Sequence, residues 1–416
     1  MFNQIFQRPK ARKLHFNTPL LEERLRYLTY LAEQGYKLST LQEIASYQQV
    51  LIKYLRLEEA KILTFEEITS AAHRWALYAR RHYRYSNACY SKCKRRFIRC
   101  ARQWLHFLGR LEILIQPPML IEITEFAEYM RNEKGLSEVT ILENCQHMQR
   151  IFKRIQEKPK QFLAQLTPEH VDNLVIQESD KGIYTRRTIQ CFAIRLRYFL
   201  RYAEYRGWCR LGIADSIRIP RGYEHQTLPS SPSWDDVQRL LKTTEGNDPG
   251  NIRDRAILLL LVVYGLRDSE VRRLRFDDLD WENETIHIKR SKHGPIQQFP
   301  LIQSVGQSLA RYIKDVRPQD SPYSNIFLTL RAPSRPLKTL YTLVSCHWKP
   351  LDVAIKHHGP HSLRHACATR LINQGMSIKT IADQLGHRSL ETTRIYAKVD
   401  LTSLREVANF NIGGLS

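Results

Sequence analysis

Apolar residues recur at spacings of three and four along about the first half of the chain, and this spacing restricts the chain to a largely helical fold. The clearest examples are Leu25, Leu28 and Leu31, followed by Leu41, Ile44, Tyr47, Leu51 and Leu55. Such spacing puts one apolar stripe on each helix, and helices of this kind must pack together to bury the stripe. The sequence therefore predicts bundles of helices.

The helical pattern occurs twice. Leu-Thr-Phe-Glu at 63–66, which is typical of a helix cap, has a counterpart at 166–169, and a basic, aromatic segment from Tyr90 to Leu111 has a counterpart beginning at Tyr184. We interpret this as a duplicated four-helix unit, with the first copy at 18–112 and the second at 117–207. The alternative is that any two amphipathic bundles resemble each other.

The charge balance indicates a polyanionic partner. The chain of 416 residues has 64 Lys and Arg against 42 Asp and Glu, a formal net charge of +22. Each Lys or Arg that contacts a nucleic-acid phosphate releases a counterion, so double-stranded DNA is the expected partner. An anionic membrane is the other candidate, but no helix combines a basic face with a clean apolar face.

The chain carries no signal for secretion or membrane insertion. Its longest apolar run, Ile257 to Tyr264, is far shorter than the roughly 20 residues that span a bilayer. The N-terminus lacks an apolar core followed by small residues, and the eight cysteines are scattered without a C-x-x-C pair. We therefore expect a cytoplasmic protein that contacts no membrane and keeps its thiols reduced.

The remaining segments complete a mainly helical organisation. Residues 1–17 read as a basic, loosely ordered lead, and 208–227, rich in Pro and Gly, read as a linker. From 228 to 416 we expect a mostly helical domain with a small antiparallel sheet, formed by strands Thr285–Lys289 and Ile296–Leu301. Ser233 is expected to cap its first helix. The tail after Asp400 is expected to form a short helix.

Arg267 follows a break in a buried helix. It stands in Gly-Leu-Arg-Asp-Ser-Glu at 265–270, where Gly265 ends the predicted buried helix from Ile252 to Tyr264. A guanidinium is a rigid fork that matches two phosphate oxygens, so an arginine projecting from such a break can bind phosphate. The commoner role of a single arginine is a surface ion pair, here with Glu270 or Asp277.

Two further clusters carry chemistry near the C-terminus. In His-Ser-Leu-Arg-His at 361–365, the spacing places His361, Arg364 and His365 on one helix face, where they would surround an anion. In Leu-Gly-His at 385–387, Gly386 suits a helix end, so His387 follows in the turn, and Tyr396 lies nine residues beyond. An isolated tyrosine is more often a half-buried structural residue than a nucleophile.

Taken in order, these pieces resemble the catalytic pattern of the tyrosine recombinase, or phage integrase, family. The pattern is Gly-Leu-Arg-x-Ser-Glu, a Lys in a hairpin, His-x-Leu-Arg-His, Leu-Gly-His and a Tyr nine residues later, and it covers about 228–400. The unit at about 119–207 also resembles the family's core-binding domain. The first unit, 18–112, goes beyond the family's minimal architecture, and we expect it to bind DNA as well. The resemblance implies tandem helical, SAM-like units followed by a tyrosine-recombinase catalytic domain that acts in site-specific DNA recombination or integration.

The resemblance also implies how the reacting groups are divided. Tyr396 would attack the scissile phosphate and become joined to the 3′ end of the cut strand. Arg267 and Arg364 would bind the non-bridging oxygens, and His387 would donate a hydrogen bond to the phosphate. No metal, ATP or other cofactor is expected.

Proton transfer is assigned in the same way. Lys292, in the hairpin at 291–295, would protonate the leaving 5′ oxygen, with Lys289 as the alternative lysine. His361 would assist proton transfer with Tyr396. Glu270 and His365 are expected to support the site from behind.

Three other functions remain open. A zinc-dependent hydrolase could use His361, His365 and His387, although Arg364 would repel the metal and the H-E-x-x-H glutamate is lacking. A non-catalytic DNA-binding protein could keep the same fold without the reaction. A type IB topoisomerase-like enzyme would share the chemistry, but tandem helical units favour recombination by family analogy.

Assembly is inferred from the resemblance alone. Recombination joins two duplexes with four strand cuts, which implies a homo-tetramer on DNA and allows for accessory proteins. We expect a C-shaped clamp with basic inner surfaces around the duplex. The tail from Leu401 to Ser416 carries Leu404, Val407 and Phe410 at helical spacing, and it is expected to dock on a neighbouring protomer or on its own domain.

Overall fold

The computed structural model describes residues 1–57, 61–83, 87–112, 120–155, 158–180, 182–219, 231–290 and 296–386. Within these ranges the chain is mainly helical with one small antiparallel sheet, as predicted. Contacts divide the chain into two compact units, one formed by Met1–Ile113 with Pro229–Ser416 and the other by Leu114–Leu228. No helix in the described ranges is long and apolar enough to cross a lipid bilayer.

The first helical bundle lies at the N-terminus. Its helices are α1 (Phe2–Ile5), α2 (Pro9–Phe16), α3 (Leu21–Glu33), α4 (Leu38–Leu55), α5 (Phe65–Tyr83) and α6 (Asn87–Phe107). The predicted cap before α5 is confirmed, because the Thr64 hydroxyl accepts from the Glu67 amide at 3.1 Å and the Glu67 carboxylate accepts from the Thr64 amide at 2.9 Å. The largest core side chains come from α6, whose Phe97 and Trp104 are fully buried.

The N-terminal lead is more ordered than the sequence suggested. Residues 1–17 form α1 and α2, and Phe2 and Phe6 are buried in the core of the first bundle. The buried Arg24 guanidinium lies 2.7 Å from His15 Nδ1 and donates to the His15 carbonyl oxygen at the same distance. The expectation of a loosely ordered lead is wrong. It rested on the basic residues of this segment and overlooked the apolar pair Phe2 and Phe6, four residues apart, which packs into the core.

The second unit also consists of packed helices, and the predicted duplication of a four-helix unit remains a prediction. Its helices are α7 (Ile121–Asn132), α8 (Glu138–Phe152), α9 (Pro159–Ala164), α10 (Pro168–Asp180), α11 (Arg186–Tyr205) and α12 (Ile213–Ser216). The linker prediction for 208–227 is wrong for its first part, since Cys209, Ile213 and Ile217 are buried in this unit's core. Residues 220–227 lie outside the described residues, and the limits 18–112 and 117–207 remain predictions.

The C-terminal lobe, residues 231–386, has its own core around a central helix. Its helices are α13 (Trp234–Lys242), α14 (Pro249–Val263), α15 (Asp268–Arg273), α16 (Gln303–Asp315), α17 (Tyr341–Trp348), α18 (Pro360–Asn373) and α19 (Ile378–Leu385), with short 3-10 turns at Phe276–Asp278 and Lys349–Leu351. The second half of α14, residues 256–263, is apolar on every side and is almost fully buried. The predicted cap at Ser233 is confirmed as a capping box with Asp236.

The sheet of this lobe has three antiparallel strands in the order β1-β2-β3. They are β1 (Leu279–Asp280), β2 (Thr285–Lys289) and β3 (Ile296–Pro300), and Lys289 pairs with Ile296 at the hairpin end. The two predicted strands are confirmed to within one residue, while β1 is too short to be recognised from alternation.

Candidate active site

Arg267 lies at the start of α15, directly after the buried helix α14. Its Nη1 donates to Glu270 Oε1 and its Nη2 to the carbonyl oxygen of Gly386, both at 2.8 Å. Glu270 Oε2 also accepts from the Arg267 backbone amide. The ion pair considered for this arginine therefore exists, but Glu270 is fully buried and 33% of the Arg267 side chain is exposed. Arg267 thus reaches from the site's interior to solvent.

Gly265 allows three helices to meet beside Arg267. Its φ of +60° belongs to the left-handed region, and a Cβ there would lie 2.5 Å from the Leu385 side chain and 3.3 Å from Cys367 Sγ. A side chain at this position would therefore separate the end of α14 from α18 and α19. The predicted helix break at Gly265 is confirmed, and it allows α14, α18 and α19 to pack closely together.

Arg364 lies on α18 and is 3% exposed. Its Nη1 donates to the carbonyl oxygen of Gly265 and its Nη2 to that of Leu385, both at 2.6 Å. Because Arg267 donates to the adjacent carbonyl of Gly386, both predicted phosphate-binding arginines contact the C-terminal end of α19. The two arginines therefore lie close together, as the binding of one phosphate by both would require. The sequence did not indicate that Arg364 is buried and donates to backbone carbonyl oxygens.

The two histidines of α18 lie edge to face on the same side of the helix. The ring centroids of His361 and His365 are 4.3 Å apart. Burial, His361 and Arg364 lower the pKa of His365 to about 4, so this imidazole is neutral at pH 7. The pKa of His361, which is more exposed, is also lowered. The largest cause is partial burial of the ring, followed by Arg364 and other nearby groups including Arg267. A neutral imidazole can accept a proton, as the predicted role of His361 requires.

The sequence reading missed Arg290, a buried arginine at the end of β2. Its Nη1 donates to Glu270 Oε2 at 2.8 Å, its Nε to Gln297 at 2.9 Å, and its Nη2 to the carbonyl oxygen of Gln384 at 2.5 Å. One side chain thus connects the hairpin, α15 and α19. Strand alternation could have revealed it, because Ile286 and Ile288 face the core and the next inward position is 290.

The other predicted groups are divided between the opposite face of β2 and undescribed segments. Lys289, the alternative general acid, forms an ion pair with Asp278 at 2.8 Å and points away from the face that carries Arg290. Lys292, His387 and Tyr396 lie outside the described residues.

The described groups form a positively charged site that can hold an anion. Arg267 and Arg290 share one buried carboxylate, so their charges are only partly balanced. Arg267 has five N–H donors and uses two of them in the contacts above, which leaves donors for a bound oxyanion. Guanidinium–phosphate hydrogen bonds between charged groups are stronger than neutral ones.

Comparison with known proteins identifies the family. The model described as "Phage integrase family" matches residues 233–402, and that described as "Phage integrase, N-terminal SAM-like domain" matches 123–207. The protein y4rF of Sinorhizobium fredii, named as an integrase/recombinase, is 33% identical over 303 residues, which cover 70% of this chain and 69% of y4rF. The chain belongs to the phage integrase family. It is a tyrosine-type site-specific recombinase, and the predicted SAM-like fold class is confirmed.

Other family members match at lower identity. Tyrosine recombinase XerC of Histophilus somni is 25% identical over 289 residues, 70% of this chain and 96% of XerC. The Tn1549 transposon integrase, solved with circular intermediate DNA, gives a TM-score of 0.55 at 20% identity, covering 67% of this chain and 95% of that structure. The XerH site-specific recombinase, solved on a palindromic difH substrate, gives 0.51 at 17% and covers 85% and 98%. These structures support the fold.

Proposed function

We propose that this recombinase cuts and rejoins double-stranded DNA through a 3′-phosphotyrosine intermediate, with Tyr396 as nucleophile. The observation that carries the proposal is the meeting of Arg267 and Arg364 at adjacent carbonyl oxygens of residues 386 and 385. These carbonyls immediately precede His387 in the chain, and Tyr396 follows nine residues later. Two guanidinium groups therefore lie beside the residues that precede His387 and Tyr396 in the chain, which supports a shared site for them.

The proposed step is a transesterification in which bonds and protons balance. The Tyr396 hydroxyl oxygen attacks phosphorus and gives up its proton with the help of His361. The bond from phosphorus to the 5′ oxygen breaks, and Lys292 supplies the proton that makes this leaving group a hydroxyl. In the reverse direction, a 5′ hydroxyl attacks the phosphotyrosine and restores both the diester and the free tyrosine.

The charges of the site suit this reaction. A free phenol has a pKa of about 10, so Tyr396 needs an environment that favours its phenolate. Arg267 and Arg364 would provide this environment and would stabilise the negative charge that develops on the phosphoryl oxygens. His387 would add a hydrogen bond to the phosphate, while Glu270 holds Arg267 in place.

Fixed cations can replace a metal in such a step, because phosphoryl transfer depends mainly on positioning and electrostatics. The phosphotyrosine bond retains the energy of the broken diester, so rejoining needs no ATP. We therefore propose a reaction without metal or ATP. Strand cleavage that is lost when a strong chelator is added and regained with a divalent metal would contradict this part.

The assembly is proposed from the reaction and from relatives. Exchange between two duplexes needs four cuts, which favours a homo-tetramer on DNA and leaves room for accessory proteins. The transposon integrase and XerH were both solved with DNA, which supports duplex DNA as the partner and a mobile genetic element as the setting. The C-terminal tail, Leu401–Ser416, lies outside the described residues, and its docking on a neighbouring protomer remains a proposal. A truncation after Asp400 that still assembles and recombines normally would contradict it.

The proposed nucleophile is tested by trapping it on DNA. Footprinting on DNA that flanks the protein's own gene would supply the site, and a nicked duplex of that site should accumulate a covalent protein–DNA adduct. Tyr396→Phe should abolish the adduct and keep DNA binding. Tyr323→Phe is the matched control. Tyr323 is an exposed tyrosine of the C-terminal lobe that is far in sequence from the proposed catalytic residues, so this variant should still form the adduct.

The phosphate-binding role of Arg267 predicts a separate result. Arg267→Lys keeps the charge but loses the planar fork, so adduct formation should slow by about 10²–10³-fold. Binding of the uncut duplex should change little by comparison. Equal loss of binding and cleavage would contradict a specific role at the scissile phosphate.

A further inference from the structure

The outward face of α6, in the first helical bundle, carries a line of basic side chains. Arg95, Arg99, Arg102 and His106 are all exposed and follow one another at spacings of four, three and four. This spacing keeps them on one side of the helix, opposite the buried Phe97. The α6 helix therefore does combine a basic face with an apolar face, contrary to the expectation from the sequence, but its apolar face is buried in the core of the bundle. We call these four residues the α6 stripe.

The stripe has an unusual charge environment. The α6 helix contains six Lys and Arg and no Asp or Glu. Its neighbour Arg96 pairs with Glu43, whereas Arg95, Arg99 and Arg102 have no carboxylate partner within the part of the chain that the structure describes. Like charges three and four residues apart repel one another, so the bare stripe weakens the helix unless an anion covers it.

The space beside the stripe is also basic. A cavity of about 720 Å³ lies along it, lined by the stripe, by Arg335 and by aromatic residues such as Tyr30. Among the described residues that line this cavity there is no carboxylate. This surface therefore favours a ligand with several negative charges.

We propose that the α6 stripe binds the phosphate backbone of duplex DNA, as a contact surface separate from the active site. The stripe covers twelve residues, from Arg95 to His106, and its two ends are roughly 16 Å apart along the helix. Duplex DNA carries one phosphate per strand for about every 3.4 Å of its axis, so about five phosphates of one strand fall within that length. The strand winds around the axis, so the three arginines meet only the phosphates on the near side of the duplex. The first bundle would thereby add a DNA contact to those proposed for the rest of the chain. This inference rests on the proposed function only in taking DNA as the partner.

The salt dependence of DNA binding by the full chain tests the stripe. The variant Arg95→Gln/Arg99→Gln/Arg102→Gln removes three charges, and each lost phosphate contact lowers the slope of log affinity against log salt by about 0.9. The slope should therefore become shallower by about 2.7. Between about 50 and 200 mM salt, wild type should lose roughly 40-fold more affinity for a labelled duplex than the variant does.

A matched control separates the stripe from net charge. Arg8, Lys10 and Lys13 are exposed cations of the same bundle, and their replacement by Gln removes the same charge. The control should keep the wild-type slope. An equal change in both triple variants, or no change in the stripe variant, would overturn the proposal, as would an effect confined to single-stranded DNA.

Two further readouts keep the result unambiguous. Should the triple variant fail to fold, Arg99→Gln alone should lower the slope by about 0.9. Loss of the Tyr396 adduct concerns the proposed function and leaves the salt slope untouched. A stripe variant that binds DNA like wild type refutes the stripe while the proposed function stands.

Discussion

The buried charge network around Glu270 gives a quantitative test of what holds the site together. Glu270 and Arg290 form an ion pair at 2.8 Å, and 0% and 5% of their side chains are exposed. Glu270→Gln leaves the Arg290 charge buried without its partner, and breaking a buried pair costs about 3–5 kcal/mol. Arg267, with 33% of its side chain exposed, is partly compensated by water, so most of this cost comes from Arg290. We expect a loss of about 3 kcal/mol.

A double-mutant cycle isolates this pair. Arg290→Met should also cost about 3 kcal/mol, because it leaves Glu270 buried with one cation fewer. The double variant Glu270→Gln/Arg290→Met should cost about the same as either single change, which gives a coupling energy of about 3 kcal/mol. Native-state hydrogen exchange of amides in β2, β3 and α15 measures the opening free energy of this lobe alone.

An exposed pair supplies the comparison. Arg131 and Glu138 are 2.7 Å apart, but 46% and 70% of their side chains are exposed, so the same cycle there should give a far smaller coupling. Additive effects at Glu270 and Arg290, or equal couplings in the two pairs, would refute the argument that burial makes the active-site network strong.

Three further changes test local features of the C-terminal lobe. Gly386→Ala should destabilise α19, measured by hydrogen exchange, by more than the roughly 1–2 kcal/mol that a left-handed backbone costs a residue with a side chain, because the new Cβ would lie 2.6 Å from Arg290 Nε. Gly109→Ala is the control for the backbone cost alone, since Gly109 also has a positive φ but lies in open space. Ser233→Ala should cost about 1 kcal/mol in urea unfolding through loss of its capping box. His365 has a folded pKa of about 4 against 6.5 unfolded, so stability should fall as pH drops through this window. His365→Asn should flatten that part of the thermal-unfolding profile, and an unchanged profile would contradict the low pKa.

Features set by neighbouring residues could be predicted from the sequence. The caps at Thr64 and Ser233 and the helix ends near Gly265 and Gly386 appear where the sequence indicates, because each depends on a hydrogen bond or backbone angle within a few residues. The second half of α14 was recognisable because a helical segment without a polar face must be buried.

Features set by distant residues could not be predicted. Arg364 donates to a carbonyl 99 residues away, and Arg267 to one 119 residues away. Periodicity shows which face of a helix is apolar, but not which carbonyl a buried guanidinium meets. The burial of Arg364 and the connecting role of Arg290 therefore required the folded chain. The order of α1 was missed for another reason, since Phe2 and Phe6 show helical spacing too briefly to outweigh the charge around them.

Two residues of the motifs around the arginines, Gly265 and Gly386, allow neighbouring segments of the chain to pack closely. Gly265 precedes Arg267 by two residues, and a Cβ at Gly265 would collide with Leu385; Gly386 follows Leu385, and a Cβ there would collide with Arg290. Both glycines have positive φ, so both the space and the backbone angle exclude other residues. The absence of a side chain at these two positions lets the end of α14, the end of α19 and Arg290, beside the hairpin, pack against one another. A chain that kept the arginines but replaced these glycines would retain the charges and lose the geometry that brings them together.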